Sequence, residues 1–123
     1  MNKLLIVEDD LLLDDAYRRK FGSIYDVRIV TEGESGVKAA IAWEPDIILL
    51  DIYLPGRMNG LDVLQAIRKE SKLAKTPVFV ITNLPDAVER VMSLGATKCY
   101  MKTDVDLDGI ETDIDEFIEK QIK

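Results

Sequence analysis

Few side chains in this 123-residue chain can do chemistry, because it has no histidine and a single cysteine, Cys99. That removes Ser-His-Asp and Cys-His nucleophile pairs and His-based zinc sites together. Carboxylates, hydroxyls and lysines remain. Three carboxylates stand in a row at Glu8-Asp9-Asp10, directly after the apolar run Leu4-Leu5-Ile6-Val7. A fourth, Asp51, ends the apolar run Ile47-Ile48-Leu49-Leu50 and precedes the turn signal Pro55-Gly56. Thr82 follows Val78-Phe79-Val80-Ile81, and Lys102 follows Lys98-Cys99-Tyr100-Met101. Neighbouring carboxylates raise one another's pKa unless a cation sits among them. A hard divalent ion such as Mg²⁺ or Mn²⁺ takes oxygen ligands and bridges to phosphate oxygens. An Asp carboxylate can itself attack phosphorus and form an aspartyl-phosphate. Such transfer needs mainly charge neutralisation and positioning. A metal and Lys102 suit the first, and the Thr82 hydroxyl can donate to a phosphoryl oxygen.

These residues converge only if the elements carrying them end on one side. Continuous apolar runs of four residues read as strands buried on both faces of a parallel sheet. The strands expected are Leu4–Val7, Val27–Val30, Asp46–Asp51, Val78–Ile81 and Lys98–Lys102, the second more peripheral. Between them lie helix patterns over Leu11–Phe21, Glu32–Trp43, Leu61–Glu70 and Asp86–Leu94, and a last helix runs over Leu107–Ile122. The first carries apolar positions Leu12, Leu13, Ala16 and Tyr17, and Val37, Ala40 and Ile41 share one face of the second. In the last, the stripe is Ile110, Ile114, Phe117, Ile118 and Ile122. Gly22, Pro45 and Gly95 are stop signals. Every connection has room for a helix, so the fold expected is α/β, a doubly wound (βα)5 three-layer sandwich on a parallel five-stranded sheet. In open parallel sheets, ligands bind beyond the carboxyl ends of the strands. Glu8, Asp9, Asp51, Thr82 and Lys102 all stand at such ends.

Length and composition agree with one domain over residues 1–123, long enough to bury roughly two-thirds of its unfolded surface. The chain is 47% apolar and 32% charged, a globular composition. No apolar run approaches the ~20 residues of a membrane span. No cleavage-site pattern follows Lys3, and a lone cysteine permits no internal disulfide, so a cytoplasmic location is expected. With 23 acidic and 16 basic side chains the net charge is −7, which argues against direct nucleic-acid binding.

The segments LLIVEDD, DIILLDIYLPG followed by NGLDVL, PVFVIT and MK together resemble the receiver domain of bacterial two-component response regulators, over the whole chain. The resemblance implies the flavodoxin-like strand order 2-1-3-4-5. It implies Glu8 and Asp9 as the metal-holding pair, Asp51 as phosphoacceptor, Thr82 as switch hydroxyl and Lys102 as partner of the phosphoryl group. The Tyr53 backbone carbonyl would be a further metal ligand. The partners implied are a histidine kinase or histidine phosphotransfer protein and a downstream protein. Absence of histidine fits the acceptor role and not the donor role.

Four positions depart from the family pattern. Thr103 follows Lys102 where proline is usual. Cys99, with Tyr100 beside it, stands where an aromatic residue or histidine usually reports the switch. Asn83 replaces a small alanine beside the hydroxyl, and the segment from Thr82 to Lys102 is about two residues short. Phosphorylation chemistry should survive these changes, and the output path is the part they alter. Plainer readings exist for single residues: helix capping for the acidic triad, a solvated strand end for Lys102, core packing for Cys99. Tyr53 reads equally as a surface aromatic or as a gate against attacking water, which would slow hydrolysis. A phosphatase with an aspartyl-phosphate intermediate is a rival, but its second acid would fall on Tyr53. A phosphate-independent interaction module is another rival, and a flavin-binding flavodoxin is remote because an acidic crevice repels a flavin phosphate. The chain ends soon after its last helix, so the expectation is either a stand-alone regulator or the receiver of a longer protein.

Overall fold

The computed structural model describes residues 1–122, with side chains through Lys120. Lys123 and the Ile122 side chain, expected to end the last apolar stripe, lie outside the described residues. Strands β1 (Lys3–Val7), β2 (Asp26–Val30), β3 (Ile47–Asp51), β4 (Val78–Thr82) and β5 (Lys98–Met101) alternate with helices. These are α1 (Leu11–Phe21), α2 (Gly33–Trp43), α3 (Gly60–Lys69), α4 (Ala87–Ser93) and α5 (Leu107–Ile122). All strand pairs are parallel, in the order β2-β1-β3-β4-β5. This is the expected doubly wound sandwich. β1 beyond Lys3, and all of β3 and β4, are buried, as their unbroken apolar runs require.

Side chains alternate across the sheet, so each strand feeds two cores. Leu5, Val7, Ile48, Leu50, Val78 and Val80 meet Val63, Leu64, Ile67 and Val91 of α3 and α4. Leu4, Ile6, Ile47, Leu49, Phe79 and Ile81 meet Tyr17 and Phe21 of α1 and Ile110, Ile114 and Ile118 of α5. α2 presents small residues, Gly33, Gly36 and Ala40, and lies close on β1: a Cβ at Gly36 would come 3.0 Å from Val7.

Two of the apolar helix positions, Leu12 and Ile41, lie outside the buried faces. The buried stripe of α1 is Asp14, Tyr17 and Phe21, and Leu12 is 86% exposed. The large rings of Tyr17 and Phe21 set the helix phase, and Leu12, two residues from Asp14, falls on the opposite side. Ile41 on α2 is likewise exposed, because the close face of that helix belongs to its small residues. Lys102 opens a 3₁₀ turn over Lys102–Asp104 rather than ending β5. No helix among the described residues is long and apolar enough to cross a membrane.

Candidate functional site

Alternation decides where the strand-end residues point. Leu4 and Ile6 face the α1–α5 core, so Glu8 points the same way; Ile47 and Leu49 direct Asp51 likewise. Backbone pairing runs one residue past β1, since Glu8 N donates to Val30 O at 3.0 Å. Lys102 reaches the same spot from the end of β5. Its Nζ lies 3.3 Å from Asp51 Oδ2 and 3.2 Å from Glu8 Oε1. Carboxylate oxygens of Glu8, Asp9 and Asp51 all lie within 4.8 Å of one another. Glu8 and Asp51 are buried while Asp9 is exposed, so the cluster opens to solvent on the Asp9 side.

Backbone amides hold two of these carboxylates in place. Asp10 N donates to Glu8 Oε2 at 3.1 Å, and Tyr53 N donates to Asp51 Oδ1 at 3.1 Å. Asp10 itself does something else. Its Oδ1 accepts from Leu12 N and Leu13 N at 3.0 and 3.2 Å, capping α1. Of the three consecutive acids, two thus join the cluster and the third starts the helix.

Burial, then the Asp51 carboxylate beside it, pushes the Glu8 carboxyl up to about 8. Burial works against the Lys102 ammonium, but the Asp51 and Glu8 charges outweigh it and hold its pKa above the ordinary range. Three carboxylates facing one ammonium leave negative charge to be neutralised. Glu8 Oε1, although 3.2 Å from Nζ, is off hydrogen-bond geometry and has no hydrogen-bond partner among the described residues. An all-oxygen set with one orphaned carboxylate oxygen fits a hard divalent cation.

The remaining strand-end residues are arranged differently. Thr82 is buried, and its Oγ1 accepts from Leu84 N at 3.1 Å, so the hydroxyl is engaged with its own loop. Asn83 is exposed beside it. The Tyr53 side chain is 59% exposed. On β5, Cys99 packs against the α3–α4 core and Tyr100 against the α1–α5 core. Tyr100 meets Phe79 edge-on at 5.9 Å between centroids, and its hydroxyl donates to Asp113 Oδ2 at 2.5 Å. Sequence reasoning missed two buried polar residues as candidate site neighbours: Asp14 and Tyr17, on the buried face of α1. The spacing 14, 17, 21 was the available signal, since it places Asp14 on the stripe of Tyr17 and Phe21.

Residues 4–115 match the family model described as the response regulator receiver domain. The chain belongs to the response regulator receiver domains. Among similar proteins, the nitrate/nitrite response regulator NarL of Escherichia coli K12 is 31% identical over 102 residues, 80% of this receiver and 47% of NarL. The response regulator PmrA of Pseudomonas aeruginosa is 36% identical over 111 residues, 89% of this receiver and 49% of PmrA. The chain spans about half the length of these curated relatives. A solved receiver domain of a sensor histidine kinase from Pseudomonas aeruginosa PAO1 superposes with a TM-score of 0.86 at 22% identity, covering 96% of this receiver and 98% of that chain. That structure holds a magnesium ion in its active-site cleft.

Proposed function

We propose that this receiver accepts a phosphoryl group on Asp51 from a phosphohistidine of a histidine kinase or histidine phosphotransfer protein. The observation that carries the reading is the cluster itself: Asp51 with Lys102 Nζ at 3.3 Å and the oxygens of Glu8 and Asp9 within 4.8 Å. An Asp51 oxygen attacks phosphorus; the new O–P bond forms as the P–N bond breaks, and the electron pair leaves on the imidazole nitrogen. Glu8, Asp9 and Asp51, with the Tyr53 backbone carbonyl, would hold the cation. Mg²⁺ or Mn²⁺ bound there supplies charge neutralisation at the phosphoryl oxygens. Lys102 would supply a further positive charge, its ammonium lying against both Asp51 and Glu8. Tyr53 N fixes the orientation of the acceptor carboxylate.

Thr82 is then the switch. Its oxygen accepts from the Leu84 amide while its own proton can turn to a phosphoryl oxygen, so the hydroxyl would tie the phosphoryl group to the loop carrying Asn83 and Leu84. Cys99 and Tyr100, on opposite faces of the adjacent strand, would carry the change to the two cores and on to a downstream protein. Tyr53 would shield the phosphoryl group and slow its hydrolysis. The reading makes residues 1–123 one signalling receiver, cytoplasmic and not an enzyme. It has no direct contact with nucleic acid, given a net charge of −7, and no insertion in a membrane.

The test is intact mass after incubation with Mg²⁺ and acetyl phosphate. One phosphate adduct is expected on the wild type and none on Asp51→Asn. A wild type that gains no adduct from this donor or from a phosphorylated partner kinase would instead mark a phosphate-independent interaction module.

A further inference from the structure

Three buried side-chain oxygens have no hydrogen-bond partner among the described residues: Glu8 Oε1, Asp14 Oδ1 and the Tyr17 hydroxyl. All belong to one layer, between the sheet and α1. Tyr17 is 1% exposed and stacks on Phe21, with ring centroids 6.1 Å apart and planes 19° from parallel, so its ring is fixed. Side chains on a helix lean toward its N-terminus. The N-terminus of α1 lies at the carboxyl end of β1, three residues past Glu8. The phenol therefore leans toward the acidic cluster, on the face where Leu4 and Ile6 lead up to Glu8.

We infer that Tyr17 is a positioning residue for the cation site, its hydroxyl donating to Glu8 through one buried water. A buried hydroxyl without a partner is costly, and so is a buried carboxylate oxygen. A water accepting from the phenol and donating to the carboxylate satisfies both. Asp14 is the competing acceptor, three residues away on the same helix. Among the nearby acids Glu8 raises the phenol's pKa most, ahead of Asp51 and Asp14, which agrees with Glu8 as the acceptor. Ligands of a metal are commonly oriented by such an outer layer of hydrogen bonds, and its loss weakens metal binding by about 10–100-fold. The inference rests on the reading of Glu8, Asp9 and Asp51 as a cation site.

The test is direct Mn²⁺ binding, by electron paramagnetic resonance of the free ion, to wild type, Tyr17→Phe, Glu8→Gln and the double variant. Phe keeps the ring stacking and removes only the hydroxyl. Tyr17→Phe should weaken Mn²⁺ binding about 10-fold in the wild-type background. In the Glu8→Gln background it should change little, because the hydroxyl acts through the Glu8 carboxylate. Wild-type affinity in Tyr17→Phe, or an equal loss in both backgrounds, would overturn the role. A wild type that takes up no Mn²⁺ would overturn the cation site itself, and this role with it.

Discussion

At the residue scale, burial decides more than residue type. Asp14 and Asp15 are adjacent acids on α1, yet Asp15 is exposed and pairs with Arg19 at 2.7 Å, while Asp14 is buried with one oxygen unpartnered. Burial pushes the Asp14 carboxyl from its ordinary 3.8 up to about 6, and Arg18 only partly offsets this. The native state therefore favours the protonated form. Below about pH 4 the group is neutral in both folded and unfolded states; between pH 4 and 6 the unfolded chain releases its proton first, and stability falls as pH rises. Asp14→Asn carries no charge at any pH. It should exceed the wild type by about 1 kcal/mol above pH 6, with the difference closing toward pH 4. Urea midpoints at the two pH values measure this, and equal gaps at both would contradict it.

At the element scale, the end of β3 is held by the start of α3. Asn59 and Asp62 form a reciprocal cap, with Asp62 N donating to Asn59 Oδ1 at 3.0 Å and Asn59 N to Asp62 Oδ2 at 3.1 Å. Gly60 N donates to Ile52 O at 2.8 Å. The helix start sits so close that a Cβ at position 60 would lie 2.3 Å from the Asp51 carbonyl oxygen and 2.4 Å from Ile52 Cα. Backbone cannot give way as a flexible side chain does. Gly60→Ala should therefore cost about 2 kcal/mol and also weaken Mn²⁺ binding, because Asp51 moves with its carbonyl. Asn59→Ala should cost about 1 kcal/mol and leave Mn²⁺ binding unchanged, since only the cap is lost. Denaturation together with metal titration separates the two, and matching effects would show that the close approach does not constrain Asp51. Arg68 performs a similar tie elsewhere. Its guanidinium donates to Gly95 O, Leu73 O and Thr76 O at 2.8, 3.1 and 2.8 Å, joining α3 to the segments before β4 and β5.

At the scale of the whole molecule, the site is a meeting of distant chain segments. Glu8, Asp51 and Lys102 are far apart in sequence and come together because three parallel strands end at one edge of the sheet. Binding at such a junction should stabilise the whole fold, because the unfolded chain has no equivalent site. At a Mg²⁺ concentration 100 times its Kd the gain is about 2.7 kcal/mol, which for a domain of this size raises Tm by roughly 10 °C. Asp9→Asn should abolish most of that shift and leave the metal-free Tm equal or higher, as one like charge is removed from the cluster. A Mg²⁺-dependent rise undiminished in Asp9→Asn would exclude Asp9 as a ligand. Thermal scans with Mg²⁺ and with a chelator read both.

Much of this was legible in the residue order. Unbroken apolar runs ending in Asp51, Thr82 or the acidic triad mark buried parallel strands, because only a strand covered on both faces needs no polar side. The helices between them require the doubly wound topology, and with it one edge for every strand end. What the sequence could not decide was direction. Among Glu8, Asp9 and Asp10, only the start of α1 determines which acid caps and which join the cluster. Leu12 looked as apolar as Tyr17, but the phase of α1 follows its aromatic rings packing on residues from distant strands. The same phase buries Asp14 and Tyr17. The Thr82 hydroxyl is held by the local amide of Leu84 rather than by Asp51. Periodicity and strand termini are local properties of the chain; the aim of a side chain depends on helix phase and packing, which distant residues set only when the sheet closes.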